Sequence, residues 1–174
     1  MTTIGYGSKY SETAKLSVVE VAALVRKEIK AAVKSGKLPA AKYSVRSDHN
    51  SMRIEASGFA FPVLDASSYE LRGSYVDVIR GMRIGPDGQL VESRRTTAEA
   101  HRVHTVLNAI ASAYNFDGSD SMTDYFHVRF YLSVSVESAE GEYEAIEANL
   151  RAATAPSVAR KSVPSCVAAT GWDE

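Results

Sequence analysis

The residues with the most chemical potential cluster in the second half of the chain. His101 and His104 stand three positions apart, close enough on one helix side to share a metal. Asp120, Asp124 and His127 could complete such a set, and the chemistry would be metal-dependent hydrolysis. No HExxH, paired-cysteine or second strict ligand spacing accompanies them, so an exposed histidine pair is the plainer reading. The run Asn115–Asp120 places oxygen donors at alternate positions, as a calcium loop does, with Asp117, Asp120 and Asp124 as its acids. Position 126, where the closing carboxylate should stand, is Phe, and Asx turns before a strand account for the same residues. There is no GxxxxGK, GxGxxG or GxSxG run. Cys166 has no histidine near it in sequence to activate it. No complete catalytic set emerges, no cofactor is called for, and the balance leans away from an enzyme.

What must position these groups is a long alternating segment. Phe126, Val128, Phe130, Leu132, Val134 and Val136 fall on one side of a strand over 125–137; Tyr125, His127, Arg129 and Tyr131 fall on the other. The even side reads as core. The odd side reads three ways: covered by a helix, offered to a protein, or offered to nucleic acid through aromatic stacking and an arginine–phosphate contact.

Upstream, Ser17-Val-Val-Glu20 is a capping box, and Val21, Leu24, Val25, Ile29 and Ala32 follow at helical spacing. Gly36 and Pro39 end the pattern, which predicts a helix over 17–35. Its other side carries a basic stripe of Arg26, Lys27, Lys30 and Lys34, and Glu28 falls near the apolar side, where its charge needs a partner. Paired strands are expected over 41–46 and 51–56, and a second hairpin over 75–84 and 89–93. Thr96–Glu99 reads as a capping box opening another helix, and a last helix is expected over 139–153. The order predicts an α+β fold, an antiparallel sheet with helices packed mainly on one face. The expected organisation is a flexible lead-in over 1–16, one domain over 17–153, and an extended or mobile tail over 154–174.

Composition sets wide bounds. The chain has 174 residues, 45% of them hydrophobic, and a net charge of −1, which gives no global field for nucleic acid or membrane. One cysteine, no apolar signal core at the start and no long apolar run fit a cytoplasmic protein without membrane association. Charge is nevertheless uneven. Eight bases stand against two acids over 15–46, and five acids and no base over 137–147. These runs either attract each other or mark separate faces.

The segments VRKEIKAAV (25–33), KYSVRS (42–47) and YNFDGSDSMTDYFHVRFY (114–131) resemble the twenty-ninth of the large polyvalent protein-associated domains, over about 17–137. The resemblance implies a phage or mobile-element protein acting in the bacterial cytoplasm and countering host defences. It carries over no catalytic residue. The expected function is therefore a non-enzymatic protein that binds a host macromolecule, foremost a protein. Nucleic-acid binding through the basic helix and the Tyr/Arg strand is the second reading, and a metal-dependent hydrolase the third. The candidate surface comprises Tyr125, His127, Arg129, Tyr131, Arg26, Lys30 and Lys34.

Overall fold

The computed structural model describes residues 5–79, 95–119 and 127–154, with the backbone of 82–84 and 90–92. In chain order the elements are β1 (Gly5–Tyr6), α1 (Tyr10–Thr13), α2 (Val18–Lys34), β2 (Lys42–Asp48), β3 (Ser51–Ser57), a 3-10 turn (Ala66–Ser68), β4 (Tyr69–Arg72), β5 (Tyr75–Val78), β6 (Met82–Ile84), β7 (Leu90–Glu92), α3 (Ala98–Ser112), β8 (Phe116–Asp117), β9 (Tyr131–Val136) and α4 (Glu142–Thr154). The class is α+β.

α2 starts where its cap dictates. The Ser17 hydroxyl accepts from the Glu20 amide, and the Glu20 carboxylate accepts from the Ser17 amide, so two of the helix's orphan donors are satisfied. It stops at Gly36, whose φ of 75° only glycine adopts cheaply. α3 opens one residue later than its expected capping box. The Thr97 hydroxyl accepts from the Ala100 amide and donates to Pro62 O, while Glu99 lies 3.9 Å from Arg102 instead of reaching back.

The central sheet has the order β2-β3-β9. β2 and β3 form an antiparallel hairpin pairing Asp48 with Ser51, leaving His49 and Asn50 as its loop. β9 joins β3 in parallel, with Ile54 opposite Val134. An antiparallel sheet was expected, and β2–β3 is antiparallel; the β3–β9 pair is parallel because the connection between them is a long crossover containing α3. α2 and α3 cover the same face. Val21, Val25 and Ile29, then Val103, Leu107 and Ala111, meet Val45, Met52, Ile54, Ala56 and Phe130 in one core. Each large side chain buried there contributes about 1.5–3 kcal/mol relative to exposure. A smaller cluster of Leu64, Tyr69 and Ile146 joins α4 to the β4–β5 hairpin.

Two further expectations change. The strand read over 75–84 is divided: β5 turns back on β4, and β6 begins again at Met82 to pair with β7. Alternation persisted across the break because both halves are strands. The expected loose lead-in is built into the fold over residues 5–16. β1 pairs with β8, Lys9 N donates to Ala113 O at 2.8 Å, and Thr13 is buried. The tail from 155 onward lies outside the described residues.

Candidate functional site

The alternating segment is only partly a strand. Tyr125 and Phe126 lie outside the described residues, Val128 makes an isolated bridge to Asp117, and regular pairing begins at Tyr131. The parity holds from there: Phe130 is fully buried, Leu132, Val134 and Val136 pack on the core, and Tyr131 is 53% exposed.

Arg129 is not on an open face. Its guanidinium donates to Leu16 O at 2.9 Å, Tyr114 O at 2.8 Å, Thr13 Oγ1 at 3.0 Å and also Thr13 O. It sits over the Tyr10 ring, 5.4 Å from its centroid. Sequence alternation pointed this side chain away from the core. The backbone bends at Arg129 and Phe130, and the arginine serves as a clamp on the N-terminal segment. Burial lowers its pKa, the proximity of Tyr10 opposing. His127 packs edge-on against Phe116 with centroids 5.0 Å apart. The expected row Tyr125, His127, Arg129, Tyr131 therefore does not stand as one docking surface among the described residues.

A second cluster sits beside this clamp. Lys9 Nζ and the Tyr114 hydroxyl both donate to Glu28 Oε1. Burial acts to raise the Glu28 carboxyl, but the hydrogen bonds from Lys9 and Tyr114 outweigh it and hold the group below the usual carboxylate range. Burial and the Glu28 bond push the Tyr114 phenol up. This supplies the partner that Glu28 needed.

The candidate metal ligands that lie among the described residues do not form a metal set. The His101 and His104 rings stack with centroids 6.5 Å apart. Among the described residues no three His, Cys, Asp or Glu side chains gather as a metal set. Asp120 and Asp124 lie outside the described residues. Asp117 closes an Asx turn, its Oδ1 accepting from the Ser119 amide at 3.0 Å, and that bond lowers its pKa.

The basic stripe of α2 leads to a better site. Arg26, Ile29, Lys30 and Val33 form one wall of a groove of ≈ 650 Å³, and residues 41–45 at the outer edge of β2 form the other. Their spacing of three and four along α2 puts them on one helix side. Arg26 reaches across the groove, donating from Nε at 3.1 Å and from Nη2 at 2.7 Å to Val45 O. Tyr43 is fixed by its hydroxyl's bond to Pro39 O at 2.9 Å and by edge-on packing with Phe59. Burial raises its phenol pKa. Lys30 lines the wall, and Lys34 continues the exposed stripe one turn beyond it. Sequence reading found the cations but not the groove, because the strand edge lies beyond the turn that follows α2.

The two charged runs of the sequence do not neutralise each other. Glu142 accepts from the amides of Leu64, at 2.6 Å, and Ala139, at 3.1 Å, and Glu147 pairs with Arg151 at 2.6 Å. Among the described residues no ion pair joins 137–147 to the bases of 15–46. The groove thus keeps its positive rim. No helix among the described residues is long and apolar enough to cross a membrane.

No protein-family model, curated protein or solved structure matches the chain.

Proposed function

We propose that this protein is a non-enzymatic docking protein of a phage or mobile element, and that the groove between α2 and β2 receives a host protein. The carrying observation is the groove itself: apolar Ile29, Val33 and Val45 beside Arg26 and Lys30, which pair with no acid among the described residues, at an edge of the central sheet that no other described strand shares. Apolar floors rimmed by charge are the usual anatomy of a protein-binding cleft. The resemblance to the polyvalent-protein domains supports the mobile-element setting and an anti-defence role.

Pull-down from bacterial lysate tests this reading with the wild-type protein and a Lys30→Glu, Val33→Glu variant as baits. The expected result is a partner retained by the first and lost by the second, with both showing the same helical circular dichroism. Identical partner lists from two folded baits would remove the groove from consideration.

Nucleic-acid binding remains as a second reading because Arg26, Lys27, Lys30 and Lys34 form an exposed stripe on α2. Its strand half is weakened, since Arg129 is occupied by main-chain oxygens. A gel shift with single- and double-stranded DNA and RNA checks it. Binding should weaken steeply with salt, and silence at low salt excludes it.

A further inference from the structure

The hydrogen-bond geometry of the β2 edge says more about the occupant. In an antiparallel pair, a residue's N–H and C=O point to the same side, and the side alternates along the strand. Val45 O is held by Arg26 of α2, so the main-chain groups of Val45 point away from β3. Tyr43, two residues back, shares that side. The partner strand agrees: Ala56, opposite Tyr43, gives its carbonyl to the Glu137 amide on the far side of β3. Among the described residues nothing bonds the Tyr43 amide, the Tyr43 carbonyl or the Val45 amide. Three ladder groups therefore line one wall of an apolar groove.

Such an edge is a template for another strand. We propose that the partner enters as an extended acidic segment and adds antiparallel or parallel to the free edge of β2. This rests on the reading of the groove as the docking site. The stretch 41–45 spans roughly 16 Å, which matches about five residues of an added strand. Alternate side chains of that segment face α2. At the Val45 end they meet Arg26, and at the Ala41 end they meet Ile29 and Val33.

Arg26 explains the acidic preference. A guanidinium has five N–H donors in a rigid fork. The Nε and Nη2 contacts to Val45 O fix its position and leave further donors at the groove mouth. A carboxylate there receives a charge-assisted bond from a donor that is already ordered. Lys30, one turn along, adds a second cation on the same wall. A basic or purely apolar segment gains neither contact.

A displayed library of random ten-residue peptides, selected on the full-length protein, supplies the probe. Recovered sequences should alternate apolar residues with Asp or Glu. Lys30→Glu should weaken the best acidic peptide by about tenfold or more, a loss that added salt reproduces in the wild type. At saturating peptide the Tyr43 and Val45 amides should exchange with deuterium at least about tenfold more slowly, while Ser44 and Arg46, already in the ladder, stay unchanged. Binders without acidic residues, or binding with no added protection at Tyr43 and Val45, would overturn strand addition. So would sedimentation showing dimers whose contact protects the same two amides, since the edge would then belong to a second copy. If no peptide binds while lysate partners are still lost on groove substitution, strand addition fails and docking stands. If the lysate partners are unaffected as well, both fail.

Discussion

Arg129 donates hydrogen bonds to both the main-chain and the side-chain oxygen of Thr13, joining the start of the chain to the segment that enters β9. The same guanidinium also satisfies Leu16 O and Tyr114 O, so one side chain fixes α1, the approach to α2 and the end of α3. Replacing it with methionine keeps the volume and removes four hydrogen bonds, leaving Leu16 O and Tyr114 O without this donor while Thr13 O keeps its bond from the Leu16 amide. The expected loss is about 3 kcal/mol, a large share of a marginal total. Urea denaturation measures it, and limited proteolysis should show new cleavage between residues 5 and 16. Unchanged stability would mean that the clamp is ornamental.

Glu28 predicts a pH dependence. Its folded pKa is depressed, so its contribution is present above the ordinary glutamate range and lost as pH falls through the folded value. Lys9 is raised, mainly by its bond to Glu28, and Tyr114 is raised by burial and then by Glu28. Their contributions are full below their unfolded values and lost as pH rises through the folded ones. Glu28→Gln should cost on the order of 1 kcal/mol at neutral pH, because Lys9 and Glu28 are 41% and 30% exposed and solvent screens them. The gap between wild type and variant should shrink from pH 6 towards pH 3, followed by chemical denaturation at each pH. A constant gap would contradict the cluster.

Gly7 is the tightest joint in the N-terminal segment. Its amide donates to Asn115 O at 2.9 Å, and a Cβ placed on it would strike the carbonyl oxygens of Ser112 and Ala113. Gly7→Ala should therefore cost about 1–3 kcal/mol through backbone displacement. At Gly36 nothing lies near the added methyl, and only the φ of 75° resists, so Gly36→Ala should cost about 1 kcal/mol. Paired thermal melts of the two variants rank them.

Phe130 and Tyr131 are adjacent but face opposite surroundings, one fully buried and one 53% exposed. Phe130→Ala should cost about 3–5 kcal/mol by leaving a cavity between α3 and the sheet. Tyr131→Ala should stay within about 0.5 kcal/mol of wild type. Equal effects would mean that the parity of this segment is misassigned.

These contrasts mark what the sequence could and could not reveal. Local signals were readable: the Ser17–Glu20 cap, the apolar spacing through Ile29, and the even-residue core from Phe130 onward all act within a few positions. The Arg129 clamp was not, because three of its four acceptors are backbone oxygens, those of Thr13, Leu16 and Tyr114, and carbonyls leave no mark in a sequence. The parallel pairing of β3 with β9 was hidden for a related reason, since period-two alternation is the same for either direction. The groove was half visible. Arg26 and Lys30 announced a basic side, but only the fold places that side against an edge strand of the central sheet.

The placement of Arg129 also orders events on the ribosome. Thr13 and Leu16 leave it 116 and 113 codons before the arginine that holds them, a wait of roughly 6–23 seconds at usual elongation speeds. Until then the Thr13 and Leu16 carbonyls lack their guanidinium donor, and that stretch of the nascent chain stays open to proteases until the arginine emerges.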